Sequence, residues 1–402
     1  MAANPHALIV GGGIAGTAMA LFLKKIGWTS TILEAYPKRD DIGGGLQMAP
    51  NGMHVLDALG LSEKVIASGS VAEEMTFHNQ KGKIIGSMNK EMRVKFGQPA
   101  VNITRSALHT ILVEEVEQRG LALRYNKRLK NIKENGPTQK VTAYFEDGSS
   151  EDGDIVIGAD GIHSQTRKAA LPDSPEPSYV GLQWLAGMVS EAELAATEPD
   201  DRRLHMTFGQ KGFFGYGKFD EKNDLIMWWV NLSRENEASK EEMTARSTED
   251  IRKELLKLCK GWHAPIEELI EKTPAFMQGN VHDIETLPAW HTDRVVLIGD
   301  AAHAVSPNSG QGASLALEDA MYLATLLNQA DKTISQLFNQ YEEDRRPRVE
   351  KIVADGRRMG DGKKEMSPLG AWTRDQMLKV IFSLFAERGN RWIHEYKIPW
   401  KD

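Results

Sequence analysis

The hydrophobic pattern at the start of the chain predicts a strand, a tight turn, a helix and a second strand. Residues 7–10 are apolar and run directly into a glycine-rich segment, and small or apolar side chains then recur at helical spacing over 17–26. Residues 30–33 predict a second short strand, which ends at Glu34. This order of elements is typical of the first βαβ unit of an open α/β sheet.

Farther along, apolar runs mark two more buried strands, and the chain changes character between them. Residues 154–158 lead to Asp160, and residues 294–299 lead to Asp300. From 179 to 287, short alternating segments separated by polar turns predict antiparallel strands. The clearest of these segments are 183–189, 204–208, 213–218 and 225–232, and a helix is predicted over 249–258.

Together these patterns predict an α/β protein in which a Rossmann-like domain holds an inserted antiparallel sheet. We expect residues 1–175 and 288–350 to form the two parts of the dinucleotide-binding domain. Residues 176–287 are expected to form the inserted sheet domain, joined by strands from around 75–100. Residues 351–402 are expected to form a C-terminal helical segment.

The glycine-rich turn predicts a dinucleotide site. In Gly-x-Gly-x-x-Gly, the first glycine permits the tight turn, the second lets the backbone approach a pyrophosphate, and the third lets helix and strand pack closely. The helix start offers unpaired N–H groups to phosphates. Glu34 follows Gly11 by 23 residues, where a carboxylate can accept hydrogen bonds from an adenosine ribose. The residues predicted to contact the dinucleotide here are Gly11, Gly13, Ile14, Ala15, Gly16 and Glu34.

Three later stretches also offer backbone or charge to a ligand. The glycines at 43–45 form either a flexible connector or a loop, contacting through Gly45, that passes close to the flat face of a bound ring. Arg105 begins a predicted helix, where a cation is unfavourable to the dipole, so a bound anion and a salt bridge are both open. Asp300 lies at the carboxyl end of a strand, where open α/β sheets bind ligands. A second anion-binding helix start is predicted at Gly310, Gly312 and Ala313.

Aromatic residues are concentrated in the inserted region. Alternation places Phe214 and Tyr216 on one face of their strand. Such residues are usually core, but with Trp228 they would also suit a sheet that lines a pocket for a planar ligand. His205 and Tyr216 lie on predicted strands of this region and could accept a proton from a bound ligand or orient it, and a structural hydrogen bond is the alternative for each. His303 is predicted to be a packed residue that orients the loop after Asp300.

Composition excludes several classes of protein. The 402 residues carry a formal charge of −7, which disfavours a nucleic-acid partner. Cys259 is the one cysteine, so no internal disulfide or multi-cysteine metal site is expected. No apolar run approaches the length of a membrane span, and no basic-then-apolar leader precedes the first strand. We therefore expect a cytoplasmic protein without a membrane span.

The end of the chain predicts two further helical segments. Residues 341–348 mix acids and arginines, a pattern that we expect on a solvated, ion-paired face. Over 368–402, apolar side chains recur at helical spacing at 377, 380, 381, 384 and 385. This segment is expected to pack on the body of the protein or on a partner chain, in a monomer or a homodimer.

Three separated motifs occur in one order along the chain. They are Gly11-x-Gly13-x-x-Gly16 with Glu34, Gly158-Ala159-Asp160-Gly161 with Arg167, and Gly299-Asp300 with Pro307-x-x-Gly310-Gln311-Gly312. The ordered set resembles the single-component, FAD-dependent aromatic monooxygenases of the para-hydroxybenzoate hydroxylase type. Within that group the salicylate hydroxylase and tetracycline-inactivating branches are the most similar. The resemblance covers most of residues 5–350, including the arginines of 345–348.

The resemblance implies that the dinucleotide is FAD and gives roles to several residues. Glu34 would bind the adenosine ribose, Arg105 would lie beside the pyrophosphate and ribityl chain, and Asp300 would bond the ribityl hydroxyls. Asp160 belongs to a motif associated with both FAD and nicotinamide binding. Pro307 would shape the loop on the oxygen-binding side and is a low-ranked catalytic candidate with His205 and Tyr216. The helix beginning at Gly310 would stabilise the charge of reduced flavin by about 0.3–1 kcal/mol.

The chemistry implied by the resemblance is oxygenation of a small aromatic or polycyclic molecule. NADPH or NADH would reduce the flavin, and O₂ would add at flavin C4a. The resulting hydroperoxide would hydroxylate or epoxidise the substrate in a pocket that excludes water. The sequence contains no second Gly-x-Gly-x-x-Gly, so the nicotinamide cofactor is expected to bind transiently on the surface. Two alternatives are a flavin-dependent reductase of isoprenoid double bonds and a flavin-binding protein without turnover.

Overall fold

The computed structural model describes residues 4–38, 43–136, 140–195, 200–305, 309–361, 366–385 and 389–400. Within these residues the strands are β1 (His6–Val10), β2 (Thr29–Leu33), β3 (Gly45–Met48), β4 (Ser70–Ala72), β5 (Glu74–Asn79), β6 (Ile84–Met88), β7 (Ala100–Thr104), β8 (Ala122–Arg124), β9 (Leu129–Glu134), β10 (Val141–Phe145), β11 (Ser150–Gly153), β12 (Ile155–Gly158), β13 (Ser178–Ser190), β14 (Arg203–Phe208), β15 (Phe213–Asp220), β16 (Leu225–Ser233), β17 (Phe276–Asp283) and β18 (Val295–Leu297). The helices are α1 (Ile14–Lys25), α2 (Pro50–Ala58), α3 (Ser62–Ser68), α4 (Met92–Phe96), α5 (Arg105–Gln118), α6 (Gln165–Ala170), α7 (Lys240–Ala245), α8 (Thr248–Leu258), α9 (Ile266–Lys272), α10 (Asp300–His303), α11 (Gly312–Leu327), α12 (Ile334–Asp361), α13 (Pro368–Phe385) and α14 (Arg391–His394).

A parallel sheet forms the frame of the nucleotide-binding part. Among the described residues its order is β18-β12-β1-β2-β8, and all neighbouring pairs run parallel. The strands are apolar on both faces, because helices such as α1 and α11 cover one face and β9 and β10 cover the other. β18 joins this sheet after the chain has completed the inserted region.

The inserted strands form a second, larger sheet. Its order over the described residues is β17-β13-β16-β15-β14-β5-β6. Neighbours are antiparallel except for β14 and β5, which run parallel. The predicted antiparallel sheet is confirmed for β13 to β17, and β5 and β6 extend it from an earlier part of the chain. Two three-stranded sheets, β11-β10-β9 and β3-β7-β4, complete the strand pairing in the described ranges.

The two faces of the seven-stranded sheet bury different side chains. On the outer face, Phe214, Tyr216 and Trp228 pack against α8 and α9 through side chains such as Leu255 and Leu269. On the inner face lie the side chains that alternate with them. They include Met206, Phe213, Phe219 and Met227, with the partly buried Trp184 and Trp229 packed beside them.

The C-terminal helices differ from the expected boundaries. α12 is continuous through position 350, so the boundary expected at 350/351 falls inside a helix. α13 packs on β6 through Phe382, whose side chain lies against Gly86. The apolar residues that suggested packing here, including Met377, Val380 and Leu384, face outward and are exposed. No helix among the described residues is long and apolar enough to span a membrane.

Candidate functional site: a dinucleotide cleft facing the inner sheet face

The glycine turn between β1 and α1 is closed on one side and open on the other. Gly11 has a φ of +105°, and a Cβ there would meet the Ala159 carbonyl oxygen at 2.5 Å. A Cβ at Gly16 would lie 1.9 Å from the Gly11 carbonyl oxygen, so neither position admits a side chain. In contrast, a Cβ at Gly13 would meet no atom of the described residues within 4 Å. The turn therefore leaves free space at Gly13, at the start of α1 where Ile14 and Ala15 follow.

Glu34 and His109 fix the same turn from either side. The Glu34 carboxylate accepts hydrogen bonds from the Gly12 N–H at 2.7 Å and from the Tyr36 N–H at 2.9 Å. His109 Nε2 donates to the Gly12 carbonyl at 2.7 Å. His109 was not predicted as a site residue, because it lies on α5 and nothing local in the sequence connects it to the glycine turn.

The Asp160 side chain forms hydrogen bonds within its own loop. Its carboxylate accepts hydrogen bonds from the Ser164 hydroxyl and from the N–H and hydroxyl of Thr166, and burial nevertheless raises its pKa. Its Cα lies directly against Gly11. Asp160 therefore shapes the backbone beside the glycine turn, and its contribution to a ligand site is through the loop it holds.

Arg167, from the same motif, reaches a third segment. Its guanidinium is buried and donates to the carbonyls of Ala301 at 2.9 Å and Ile162 at 2.7 Å. Burial lowers its pKa. This side chain ties the loop after β12 to α10, where Asp300 is located.

Asp300 and Arg105 face the cleft between these segments. The Asp300 side chain is accessible and, within the described residues, has no hydrogen-bond partner. The protein atoms around the Asp300 carboxylate partly desolvate it and so raise its pKa. The nearby His303 and Arg105 side chains oppose that rise. The Arg105 side chain is exposed and forms no ion pair with any described residue, and a bound anion and a salt bridge both stay predictions there. Its aliphatic part lies against Gly43.

The glycines after Gly43 connect the cleft to the inserted sheet. A Cβ at Gly45 would lie 2.2 Å from the Phe219 ring and 2.5 Å from the Met227 sulfur. Both side chains belong to the inner face. The inner face of the seven-stranded sheet is therefore the one turned toward the cleft.

The start of α11 brings polar groups to the other side of the cleft. Gly310 has a φ of +61° and open space around its Cα, and Gly312 meets only Asp300 near the limit of contact. Ala313 follows them in the first turn of the helix. Two buried oxygens, Ser314 Oγ and Asn51 Oδ1, have no hydrogen-bond partner within the part of the chain that the structure describes. Pro307, the candidate for the oxygen-binding side, lies outside the described residues.

Buried charged and polar side chains form hydrogen bonds on and next to α11, close to its start. We call these residues the buried charge cluster: Asn51, Glu318, Asp319, Arg345 and Arg348. Arg345 is fully buried and donates to Asp319 at 2.9 Å and to Glu318 at 2.7 Å. Arg348 donates to both Glu318 oxygens, at 2.9 and 2.8 Å. The expected solvated face is therefore wrong for these two arginines, because their partners lie on α11 and not on α12 itself.

The acids of the cluster stay ionised although they are buried. Burial alone would raise both pKa values, but Arg345 and Arg348 hold the pKa of Glu318 below its usual value. His303 and Arg345 hold the pKa of Asp319 at about 2. Asp319 also accepts from the Gly299 N–H at 2.9 Å and from His303 Nε2 at 2.6 Å. His303 is thus buried, as expected for a packed residue, and is held by Asp319; its role in orienting the loop after Asp300 stays a prediction.

Of the predicted pocket-wall and catalytic residues, the four that the structure describes lie on the outer face of the sheet, away from the cleft. Phe214 and Trp228 are fully buried on the outer face, and Trp228 Nε1 donates to Thr273 at 2.8 Å. His205 stacks on Tyr216 with ring centroids 4.5 Å apart, and its Nε2 bonds Asp201 at 2.9 Å. These contacts support the structural alternative for all four, since Phe214, Tyr216 and Trp228 pack against α8 and α9, and His205 stacks on Tyr216.

Two aromatic residues of the inserted region that were not leading candidates, Trp184 and Trp229, lie on the inner face, which turns toward the cleft. Trp184 and Trp229 alternate with outer-face neighbours and are only partly buried. Period-2 alternation shows which residues share a face, but it does not show which face turns toward a ligand. The contact of Gly45 with Phe219 and Met227 supplies that information.

Comparisons with known proteins identify the family of the chain. The family model described as FAD binding domain matches residues 5–355. The chain is 30% identical over 379 residues to the aurachin C monooxygenase/isomerase of Stigmatella aurantiaca, covering 94% of each protein. It is 30% identical over 372 residues to the 6-hydroxynicotinate 3-monooxygenase of Pseudomonas fluorescens, covering 88% of this chain and 90% of that one.

A solved structure shows the same fold. HpxO of Klebsiella pneumoniae, complexed with FAD and uric acid, gives a TM-score of 0.83 at 24% identity and covers 94% of this chain and 93% of that chain. The family match and the relatives extend over nearly the whole sequence, and the resemblance inferred from the ordered motifs is confirmed. The chain belongs to the family of FAD-dependent monooxygenases, and it is an oxidoreductase.

Proposed function

We propose that this protein uses FAD, NADPH or NADH, and O₂ to insert one oxygen atom into a small aromatic or polycyclic substrate. The observation that carries the proposal is the position of the cleft. It lies between a glycine turn suited to a pyrophosphate and the apolar inner face of the sheet. In the balanced reaction, substrate C–H, O₂, NAD(P)H and a proton give the hydroxylated product, NAD(P)⁺ and water.

The polar residues of the cleft fit an FAD molecule. The free space at Gly13 would accept the pyrophosphate, and Glu34 stands where a ribose would lie beside the turn. Asp300 offers an unpartnered carboxylate for the ribityl hydroxyls, and Arg105 offers a cation nearby. The unpartnered oxygens of Ser314 and Asn51 lie at the start of α11 and suit hydrogen-bond donors of a ring system. Bound there, FAD would supply the redox chemistry that activates O₂.

The inner face would hold the substrate and exclude water. Trp184, Trp229 and Met188 present apolar surface on this face and are only partly buried. Partly buried aromatic side chains are suited to packing against a flat ring. A dry pocket matters because water diverts activated oxygen into hydrogen peroxide. No catalytic base is assigned, since His205 and Tyr216 face the other way.

The test begins with the bound cofactor. Protein purified from cells should release FAD, and not FMN, when it is denatured and analysed by chromatography. A panel of hydroxylated monocyclic and polycyclic aromatics is then screened for stimulated oxidation of NADH and NADPH, with O₂ uptake measured in parallel. Products formed under ¹⁸O₂ should gain one labelled oxygen by mass spectrometry.

The other outcomes separate the alternatives. NAD(P)H oxidation without O₂ uptake, with reduction of an isoprenoid double bond, would favour a reductase. A flavin that neither nucleotide reduces, with any compound present, would favour a flavin-binding protein without turnover. Failure to bind any flavin after reconstitution would overturn the proposal as a whole.

A further inference from the structure

Buried contacts join the end of the chain to the candidate cofactor site, and Arg348 lies at their centre. Its guanidinium donates to the carbonyls of Trp392 at 3.2 Å and Ile393 at 3.1 Å, and it lies 3.9 Å from the centre of the Tyr396 ring. The same group donates to both oxygens of Glu318. One side chain on α12 thus holds residues 389–400, which we call the C-terminal segment, and α11 together.

Hydrogen bonds also connect Glu318 to the start of α11. Glu318 accepts from Asn51 Nδ2 at 2.7 Å, and the same amide nitrogen donates to Gln311 at 3.0 Å. Gln311 is the residue immediately before α11. Arg345 joins Glu318 to Asp319, which holds the Gly299 N–H. Both loops that border the cleft therefore share the hydrogen bonds of the buried charge cluster.

The C-terminal segment also lies next to the loop that precedes α11. Ser309 and Gln311 on one side and Asn390 and His394 on the other line a small cavity of about 30 Å³. Both ring nitrogens of His394 are buried there and have no hydrogen-bond partner among the described residues. The segment is otherwise anchored by apolar contacts, including the Trp400 ring 4.8 Å from Phe22 on α1. Its docking is thus coupled by packing and by charge to the residues before α11.

We propose that the C-terminal segment is a positioning element for the cofactor site and that Arg348 is the positioning residue that transmits its docking to the start of α11. The proposal rests on the proposed function, because it concerns how tightly FAD is held. Coupling between two sites is reciprocal. If docking of the segment favours the arrangement that binds FAD, bound FAD must favour docking of the segment by the same factor.

The first test measures that reciprocity in the unmodified protein. Hydrogen exchange of the backbone amides over 391–396 is followed by mass spectrometry, with and without saturating FAD. Exchange is expected to slow by about tenfold or more when FAD is bound. Unchanged exchange in protein that has bound FAD would overturn the proposal while leaving the proposed function intact. Failure of the unmodified protein to bind FAD would instead overturn the proposed function.

The second test replaces Arg348 and compares it with a neighbour on the same helix. Arg348→Met removes the hydrogen bonds to Glu318 and to the C-terminal segment. We expect it to weaken FAD binding by at least about tenfold and to abolish the FAD-linked protection of 391–396. Arg346→Met is the control, because Arg346 bonds Glu342, Glu350 and the Leu287 carbonyl instead. It should retain both properties.

The outcome at Arg348 separates positioning from general stability. If Arg348→Met binds FAD more weakly but keeps the exchange response, Arg348 has a merely structural role, and its part in the proposal is overturned. Wild-type FAD affinity in Arg348→Met would overturn that part as well. If Arg348→Met does not fold, Arg348→Lys keeps the charge but loses the two-pronged contact with Glu318. An intermediate affinity and an intermediate exchange response are then expected, and wild-type values for both would contradict the proposal.

Discussion

Gly13 and Gly16 belong to one motif, yet the space around them differs. A Cβ at Gly16 would overlap the Gly11 carbonyl oxygen, whereas Gly13 has open space and a φ of −76° that any residue can adopt. The glycine at position 16 is therefore required by the fold. The glycine at position 13 is required only if something else fills the space beside it.

This contrast gives a prediction for two alanine variants. Gly16→Ala should destabilise the apoprotein by about 1–3 kcal/mol or more, because the backbone must move to relieve the overlap. Gly13→Ala should leave the melting temperature of the apoprotein unchanged but weaken FAD binding strongly. Thermal unfolding without cofactor and FAD titration measure the two effects. Normal FAD affinity in Gly13→Ala would place the pyrophosphate elsewhere.

Asp300 gives a second prediction at this scale. Its carboxylate has no partner among the described residues, so Asp300→Ala should cost the folded apoprotein little. FAD binding should weaken roughly tenfold or more, corresponding to ~1.5–3 kcal/mol for hydrogen bonds to a charged acceptor. The matched control is Asp293→Ala, an exposed aspartate just before β18. An unchanged FAD dissociation constant in Asp300→Ala would remove Asp300 from the site.

At the scale of elements, β16 places two adjacent tryptophans on opposite faces of the sheet. Trp228→Ala should destabilise the protein by about 3–5 kcal/mol, because its side chain is fully buried against α9. Trp229→Ala should cost less stability but let water into the pocket. The ratio of hydroxylated product to NAD(P)H consumed should then fall, with hydrogen peroxide rising in parallel. Normal coupling in Trp229→Ala would place the substrate off the inner face.

Sequence periodicity predicted most elements but could not orient this sheet. The helix predicted over 249–258 is observed as Thr248–Leu258, because its apolar spacing is determined locally. Phe214 and Tyr216 do share a face, as alternation requires. Which face turns toward the cleft depends on where α8, α9 and Gly45 pack, and those contacts join residues far apart in the sequence.

Local sequence patterns also could not show that arginines of α12 are buried. A mixed-charge segment has the same local pattern whether its partners lie on its own helix or elsewhere. Arg345 pairs with acids 26 and 27 residues earlier, on α11. The cofactor motifs were easier to predict, because their glycines and acids follow strand ends in the sequence. The ordered set of three motifs then identified the family, which no single element could do.

At the scale of the whole molecule, two buried histidines make stability depend on pH. Burial lowers the pKa of His78 and of His394 from 6.5 to about 4. As the pH falls from about 6.5 to 4, the unfolded chain therefore binds protons that the folded protein does not, and the free energy of unfolding decreases. Below about 4 these two groups cause no further loss. Above about 6.5 both states are neutral, and their contribution is constant.

Denaturant titration checks this dependence. The urea midpoint should be lower at pH 5 than at pH 7.5. In a variant carrying His78→Gln and His394→Gln, the difference between the two midpoints should shrink, because neither replacement titrates. An equal pH difference in the variant and the unmodified protein would show that other groups are responsible.

The position of β18 at the edge of the parallel sheet has a consequence for biosynthesis. β12 ends at Gly158, and the strand that covers its free edge begins at Val295. At typical rates of translation, a ribosome needs roughly ten seconds or more to make the residues between them. During that interval the nascent chain presents an unpaired, apolar strand edge, which is a template for aggregation. Chains that leave the ribosome before Val295 has been synthesised should therefore be captured by chaperones or aggregate, even if the inserted sheet has folded completely.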